Sequence, residues 1–371
     1  MTSDSSSPPI RVGIVGIEPK RSWSARAHVP ALASSPQFKL QGLATTRAES
    51  AAAAAAELGV PRWFAGHEAL VSDPEIDLVV VTVKAPSHRQ VVIDAIEAGK
   101  SVFCEWPLGK NYAETRELHA LAEARGVRGF VGLQARVAPV IAYLRELVRN
   151  GYVGEVLSTS MIGSGMNWGA VVAGANRYHL EKDNGATLTT IPFGHAVDAL
   201  SYVLGEFTEV SALEAVRQPK ATVQGSDEVL AKTAEDQLVV AGLLQGGAVA
   251  SIHFRAGLST GTNFLWEING TEGDLQITSD GGMPQIFDLT LKGAKRASPL
   301  EVLEPPAAYR WSGAPLRGPA VNVALAYAAI AADLRSGGKS FADFSAAEQR
   351  HAFLRKVAEA AATGRRLTLP G

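Results

Sequence analysis

The sequence predicts an α/β protein with a doubly wound parallel sheet, followed by an α+β domain with a large, mostly antiparallel open sheet. Two observations predict this fold. In the first third of the chain, short apolar runs alternate with helical patterns, as expected for parallel βαβ units. In the second half, segments with alternating polar and apolar residues follow one another, which is typical of antiparallel strands. The length of 371 residues accommodates two such domains.

The first domain is predicted over residues 10–133, after a disordered Ser- and Pro-rich tail at residues 1–9. Strands are expected at residues 11–17, 38–44, 78–83, 101–105 and 129–133, with helices at 27–34, 51–58, 87–98 and 112–125. Residues 78–83 are apolar without alternation, so both faces of this strand should be buried. In such a sheet, ligands bind beyond the carboxyl ends of the strands.

The second domain is predicted over residues 134–371, with roles in substrate binding and oligomerisation. An amphipathic helix at 137–150 and a strand at 156–163 precede a Gly- and Asn-rich loop and a helix around His195. Strands at 237–244, 248–255, 263–269 and 273–278 form the open sheet, and helices at 319–336 and 346–363 follow. Because an open sheet leaves a broad face to cover, we expect a homo-oligomer.

Composition argues against several classes of function. A net charge of −2 gives no general attraction to nucleic acid, and no apolar run reaches the roughly 20 residues that cross a membrane. The single Cys104 rules out an intrachain disulfide and fits a cytoplasmic protein. The eight histidines form no H-x-x-x-H or similar ligand pair, so we expect no catalytic metal.

The first predicted strand leads into a turn suited to a dinucleotide. It carries Gly13 and ends at Gly16, where the backbone would come close to a pyrophosphate. Glu18 and Arg21 fill the other two places of G-x-G-x-x-G, so this segment alone is equally consistent with a tight turn that binds nothing. The second strand ends in Thr45-Thr46-Arg47 without an acid. This favours the 2′-phosphate of NADP, unless Arg47 only solvates a helix start.

Five motifs resemble the Gfo/Idh/MocA oxidoreductases in order and spacing: Gly13-x-x-Gly16, His28-x-Pro30-Ala31-Leu32, Pro86-x-His88, Glu105-x-Pro107 and Gly194-His195-x-x-Asp198. The resemblance covers nearly the whole chain. It implies a Rossmann-type domain that binds NAD or NADP tightly, and a sugar or glycoside as the small-molecule substrate. The long first loop and Asn167-Trp168-Gly169 are similar to the branch of the yeast galactose-pathway co-repressor and its bacterial relatives.

The glycine turn, the strand ends and the resemblance together indicate the candidate cofactor residues. They are Gly13, Gly16, Ile17, Trp23, Ser24, Thr45, Thr46, Arg47, Thr82, Val83, His88, Glu105, Trp106 and Gln134. By analogy with the family, Glu105 bonds the nicotinamide ribose.

Two departures from the family bear on catalysis. Family dehydrogenases carry a lysine in a Glu-Lys-Pro motif that contacts the reacting hydroxyl, and this chain has Trp106 there. They also tend to carry an acid one turn before the histidine, where this chain has Ile191. Only His195 of the expected trio is retained, and we expect it to be catalytic rather than structural. Trp106 either stacks on a sugar or nicotinamide ring or packs in the interior.

The loop after the first strand of the second domain mixes polar groups with aromatics, as sugar pockets do. Its Tyr178 and His179 are candidate proton carriers. The candidate substrate-binding residues are Arg136, Asn167, Trp168, Arg177, Lys182 and Thr190. Arg136, Arg177 and Lys182 would together hold an anionic group, although each is equally well explained as a solvated residue.

Three functions fit these observations. The resemblance implies a sugar dehydrogenase, but the missing lysine and acid count against it. A redox-neutral glycosidase, similar to the NAD-dependent sulfoquinovosidases, tolerates an altered acid–base set. It would act by transient C3 oxidation, elimination, water addition and re-reduction, with an anionic glycoside such as a sulfoquinovoside as one candidate substrate. A non-catalytic sensor of dinucleotide or sugar needs no such set, but it needs a protein partner. We favour an enzyme, and glycoside hydrolysis slightly over simple dehydrogenation.

Overall fold

The structure, a computed structural model, describes residues 8–369. Residues 1–7 of the predicted tail lie outside this range, and Pro8 and Pro9 are exposed ahead of the first strand. Close contacts divide the chain into two compact units. The first runs to Gly109 and adds Ala113–Gly132 and Trp311–Glu348. The second comprises Lys110–Tyr112, Leu133–Arg310 and the residues from Gln349 onward.

The first unit is built on a six-stranded parallel sheet. Its strands are β1 Ile10–Val15, β2 Phe38–Thr45, β3 Arg62–Ala65, β4 Leu78–Val81, β5 Ser101–Glu105 and β6 Gly129–Gly132. Its helices before β6 are α1 Val29–Ala33, α2 Ala48–Leu58, α3 His67–Val71, α4 His88–Glu97 and α5 Tyr112–Ala124. The spatial order is β3-β2-β1-β4-β5-β6, and every neighbouring pair is parallel. This is the strand order of the doubly wound dinucleotide-binding fold, so the predicted Rossmann-type sheet is confirmed.

Local sequence explains these elements. All four residues of β4 are buried, as the unbroken apolar run predicts for a central parallel strand. Helix α2 consists largely of alanine, the best helix former, and ends at Gly59 in the left-handed region with φ of +67°. Strand β3 and helix α3 were not expected, because β3 has only four residues and none of them is buried.

A segment late in the chain also belongs to the first unit. Helix α8, Pro319–Ser336, carries Tyr327, whose fully buried ring packs against Phe38 and Phe103. Further along the chain, the backbone of Asp343 forms an isolated antiparallel bridge with Phe130 of β6. The contiguous second domain expected over residues 134–371 therefore differs from the observed second unit. Helical periodicity locates α8 but does not indicate which sheet its apolar face covers.

The second unit contains a nine-stranded sheet. Its helices are α6 Pro139–Arg149, α7 Gly194–Leu204 and most of α9 Phe344–Thr363. Its strands are β7 Val156–Gly165, β8 Val171–Val172, β9 Phe207–Ala215, β10 Lys220–Val223, β11 Val229–Ala231, β12 Gln237–Leu244, β13 Val249–Ala256, β14 Phe264–Gly270, β15 Gly273–Ser279, β16 Thr290–Lys295, β17 Glu301–Val302 and β18 Leu367–Thr368. The large sheet has the order β17-β16-β15-β14-β7-β13-β12-β9-β18, while β11-β10-β8 form a small one.

The large sheet is mixed but mostly antiparallel, as predicted. Only the β7–β13 pair is parallel among its described pairings. Strand β13 alternates between exposed and buried residues, with Ala250, Ile252 and Phe254 buried. One face of the sheet thus contributes to the core, and the other carries exposed side chains such as Val249.

Candidate functional site

A cleft of about 520 Å³ lies in the first unit at the carboxyl ends of β1, β2 and β4. This is where a doubly wound sheet binds its ligand. It is lined by Val15, Gly16, Ile17, Ala44, Thr45, Thr46, Gly66, His67, Val83, Ser87, Gln90 and Val91. None of these lining residues is acidic, which agrees with the absence of a carboxylate at the end of β2.

Glycine is required at position 16 by the shape of the turn. Its φ is +95°, and a Cβ there would lie 2.6 Å from Val83 Cγ1 and 2.7 Å from the Val83 backbone nitrogen. Such contacts leave no space for a side chain. Gly13 serves packing instead, because its Cβ would lie 2.7 Å from Leu70 Cδ2. The turn therefore presents bare backbone toward the cleft, as pyrophosphate binding needs.

Two hydroxyl groups hold this turn in place. Ser24 Oγ donates to the Gly16 carbonyl at 2.9 Å, and Thr82 Oγ1 lies 2.6 Å from the same oxygen. Both residues were predicted to bind cofactor, and the structure places their hydroxyls on the backbone that would do so. On the same loop, the indole Nε1 of Trp23 is buried and has no hydrogen-bond partner within residues 8–369. That donor remains available to a ligand.

The end of β2 forms one wall of the cleft. Thr45 and Thr46 line it, and Thr45 Oγ1 lies 3.0 Å from the carbonyl of Arg47, whose side chain is exposed at the start of α2. Facing them is His67, whose Nε2 lies 2.7 Å from Asp94 Oδ2. His67 was missed because it follows β3, which the sequence did not reveal. The glycine turn, the orphaned Trp23 donor and the non-acidic walls fit NAD or NADP.

His88 joins two turns beyond the sheet. It is 2% exposed, and its Nε2 and Nδ1 lie 2.9 Å and 2.8 Å from the carbonyl oxygens of Val83 and Pro107. Burial lowers the pKa of His88, although both carbonyls act in the opposite direction. The predicted cofactor role of His88 thus becomes one of support for Val83. Trp106, just before Pro107, is only 4% exposed and packs in the interior.

Glu105 ends β5 within a buried polar chain. Its Oε1 lies 2.9 Å from His28 Nε2, and His28 Nδ1 lies 2.8 Å from the hydroxyl of Tyr327. His28 is fully buried, so the carboxylate of Glu105 is fixed by a rigid neighbour. Tyr327 lies almost 300 residues from His28 in sequence and could not have been predicted. Gln134, the remaining cofactor candidate, is buried at the start of the second unit.

In the second unit, His195 lies at the start of α7 and is 4% exposed. One turn later, the fully buried Asp198 receives two hydrogen bonds from Arg136, at 2.8 Å and 2.7 Å, and one from Arg350 at 3.4 Å. Burial alone would raise the pKa of Asp198, but the charges and hydrogen bonds of Arg136, Arg350 and His195 outweigh it and lower that pKa. Asp198 is therefore a permanent negative charge beside His195.

The loop that precedes α7 packs its aromatic residues inward. Trp168 is 3% exposed, its indole donates to the Ala186 carbonyl at 2.8 Å, and its ring stacks on His179 at 4.6 Å. The ring of Tyr178 meets His179 edge-on, and burial raises the pKa of Tyr178 to about 12. Trp168, a candidate substrate-binding residue, is part of the core of this loop. Asn167 is half-buried beside it.

The three expected cations do not form an anion site. Arg136 pairs with Asp198, Arg177 forms a two-point ion pair with Glu228, and Lys182 Nζ donates to Glu214 at 3.0 Å. Because each has its own carboxylate, their charges are already compensated. The expectation that they jointly hold an anionic substrate was wrong, since the sequence does not show partners that lie 32–62 residues away. The hydroxyl of Thr190 lies 3.3 Å from that of Thr187.

Within residues 8–369, the structure contains no group of three or more histidine, cysteine or acidic side chains arranged to hold a metal ion. Across that same range, none of the helices combines the length and the apolar character that a membrane span requires.

The fold and the cleft define an NAD-binding protein of the Rossmann type, and comparison with protein families agrees. Residues 10–133 match the oxidoreductase family with an NAD-binding Rossmann fold, and residues 139–279 match the family of Gal80p C-terminal domains. The chain belongs to the Gfo/Idh/MocA family and carries a Gal80-like C-terminal domain.

Two curated relatives illustrate the range of functions in the family. The galactose/lactose metabolism regulatory protein GAL80 of Saccharomyces cerevisiae is 30% identical over 76% of this chain and 70% of its own length. The dehydrogenase aclE of Aspergillus oryzae is 34% identical over 72% of this chain and 76% of its own. Similarity at this level therefore extends to a regulator and to an enzyme.

Solved structures show the same fold. A super-repressor mutant of Gal80p from Saccharomyces cerevisiae superimposes with a TM-score of 0.87 at 26% identity, over 97% of this chain and 98% of that one. Levoglucosan dehydrogenase, in complex with NADH and levoglucosan, gives a TM-score of 0.84 at 21% identity, over 98% and 100%. The second likeness shows the fold alone.

Proposed function

We propose that this chain is an NAD(P)-dependent enzyme that acts on a neutral carbohydrate. The observation that carries the proposal is the pairing, one helical turn apart, of a buried histidine with a buried carboxylate that two arginines keep ionised. An ionised carboxylate next to a buried histidine can stabilise the imidazolium that forms when the histidine takes a proton. The dinucleotide cleft and the dehydrogenases among the relatives support the same class.

In this proposal His195 takes the proton of the substrate hydroxyl. The fixed charge of Asp198 stabilises the imidazolium that forms, and Arg136 and Arg350 prevent Asp198 from accepting the proton itself. The bound dinucleotide supplies the acceptor for the electrons of the carbon–hydrogen bond. Tyr178 is unsuited to act as the base, since a pKa of about 12 keeps its hydroxyl protonated at neutral pH.

Within this class we favour glycoside hydrolysis without net oxidation. The lysine that contacts the substrate hydroxyl in family dehydrogenases is replaced by Trp106, which is buried and offers no base. Because the hydride would return to the substrate in each cycle, this reaction would not require the cofactor to be released and replaced. Arg136, Arg177 and Lys182 are each paired with a carboxylate, which favours a neutral glycoside over an anionic sulfoquinovoside as the substrate.

A second candidate is a dinucleotide-sensing regulator. The 30% identity with GAL80, a metabolic regulatory protein, favours it, as does the loss of the lysine. A regulator would bind NAD or NADP through the same cleft but would have no use for His195 as a base.

Assays of aglycone release and of reduced-nicotinamide absorbance, run together, distinguish these functions. Purified protein is incubated with neutral and anionic aryl glycosides, with NAD⁺, with NADP⁺ or without either. Release that depends on dinucleotide, without build-up of the reduced form, supports the glycosidase. Build-up without release identifies a dehydrogenase. Dinucleotide binding with neither activity supports the regulator. His195→Asn is the matched variant, because it should abolish either activity and leave binding intact.

We also propose that the open sheet face forms a homo-oligomer. Leu213 and Val239 face each other across β9 and β12 and are 57% and 40% exposed, and Val249 on the next strand is 54% exposed. Exposed apolar side chains on one face of a sheet commonly mark an interface. Light scattering coupled to size exclusion measures the mass, and a monomer of wild-type protein at micromolar concentration contradicts this proposal. Cytoplasmic location stays a prediction.

A further inference from the structure

A second cavity, of about 230 Å³, lies in the second unit. It is formed by the end of β9, the segment before β12, the last turns of α9 and the loop before α7. Its walls are Lys182, Glu214, Ala215, Val216, Thr233, Glu235, Ala358, Ala361 and Ala362. Neither the dinucleotide cleft nor His195 contributes to this lining, so the cavity is a candidate site of its own.

Glu235 is the buried polar group of this cavity. The residue is 3% exposed, and its Oε1 accepts a hydrogen bond from the Thr189 backbone at 2.8 Å. Its second oxygen, Oε2, is buried and has no hydrogen-bond partner among the residues that the structure describes. A buried carboxylate oxygen without a donor is strongly unfavourable, which indicates that a donor from outside the chain completes it.

The other charges of the cavity do not compensate Glu235. Burial would lower the pKa of Lys182, but its hydrogen bond to Glu214 and the charges of Glu214 and Glu235 outweigh this and raise it. Lys182 is thus a cation, and its Nζ lies 3.0 Å from Glu214. The lining thus carries two acidic side chains and only one basic side chain. The remaining wall is apolar and consists of small side chains, among them three alanines of α9.

We propose that this cavity binds a small aliphatic amine in its protonated form. The ammonium donates to Glu235 Oε2 and supplies the missing positive charge, while a short alkyl chain lies against the alanines of α9. A hydroxyl group would satisfy the oxygen but leave its charge uncompensated, and an anion would be repelled. The proposal is independent of the proposed enzymatic function, because it concerns other residues.

Binding of n-butylamine, measured by calorimetry and by ligand-observed NMR, tests this assignment, with n-butanol and butyrate as neutral and anionic analogues. We expect saturable binding of butylamine and at least about tenfold weaker binding of both analogues. Equal binding of butanol, or no saturable binding of butylamine at about 10 mM, overturns the proposal.

Glu235→Gln is the decisive variant. Its amide oxygen can still accept from Thr189, while an amide nitrogen replaces Oε2, the oxygen that has no donor. We expect at least about tenfold weaker butylamine binding with an unchanged melting temperature. Glu272→Gln, which removes an exposed charge outside the cavity, is the control and should leave butylamine binding and the melting temperature unchanged. Should Glu235→Gln fail to fold, Ala361→Phe provides a second test, because it fills the cavity and leaves Glu235 in place. Undiminished butylamine binding in either folded variant contradicts the proposal.

Discussion

Replacing Asp198 by asparagine tests whether the second unit depends on its buried charge cluster. The carboxylate binds Arg136 at two points and the fully buried Arg350 at one. Removing one partner of a buried ion pair destabilises a protein by about 3–5 kcal/mol, because the opposite charge remains without compensation. Arg350 keeps Glu206 at 2.8 Å, so the loss falls mainly on Arg136 and should lie near the lower limit, about 3 kcal/mol.

The matched control is Glu228→Gln. It also removes the partner of an arginine, but both members of the Arg177–Glu228 pair are more than 40% exposed. Exposed pairs contribute about 1 kcal/mol or less, so this variant should unfold at nearly the urea concentration of the wild type. Urea unfolding followed by circular dichroism and tryptophan fluorescence gives both values, with the slope of the transition checked for constancy.

The pH dependence provides a second measure. Because the pKa of Asp198 is lowered in the folded state, its contribution to stability is present above its unfolded pKa, near 3.8, and is lost as the pH falls through the folded value. The difference between wild type and Asp198→Asn should therefore be constant near neutrality and shrink below about pH 4. Equal stability of Asp198→Asn and Glu228→Gln at pH 7 would refute the assignment of Asp198 as an ionised anchor.

Four further predictions concern the proposed activity. Gly16→Ala should weaken NAD and NADP binding by at least about tenfold, since φ of +95° and the contact with Val83 both exclude a side chain. Gly59→Ala, with open space around it, should leave affinity unchanged in the same calorimetric titration. His195→Asn should lower kcat by about 10²–10⁴ without changing dinucleotide affinity, and retained activity would exclude His195 as the base. Tyr178→Phe should leave the pH–rate profile between pH 6 and 9 unchanged, because a pKa of about 12 keeps the phenol protonated throughout; a lost alkaline limb would contradict this. Arg47→Asp should shift the ratio of NADP to NAD affinity toward NAD by about tenfold or more, because a carboxylate at the end of β2 repels a 2′-phosphate. An unchanged ratio would mean that Arg47 only solvates the start of α2.

Much of the dinucleotide cleft could be predicted from local sequence. Gly16, Thr45, Thr46 and Val83 line it as expected, because the ends of parallel strands meet at one edge of the sheet. His67 was missed, since the strand before it has only four residues and does not alternate between polar and apolar side chains. In the second unit, local sequence suggested which residues carry chemistry but not their partners: Arg136, Arg177 and Lys182 each pair with a carboxylate.

The sequence by itself determined the alternation of strands and helices, the glycine turn and the open antiparallel sheet, because these depend on periodicity and on backbone constraints within a few residues. Only the tertiary structure decided which carboxylate each charged side chain pairs with, and to which of the two units the late segments of the chain belong. Arg177 meets Glu228 across 51 residues, and Tyr327 reaches His28 across 299. A side chain's charge is visible in the sequence, but whether that charge is compensated depends on what folding brings next to it.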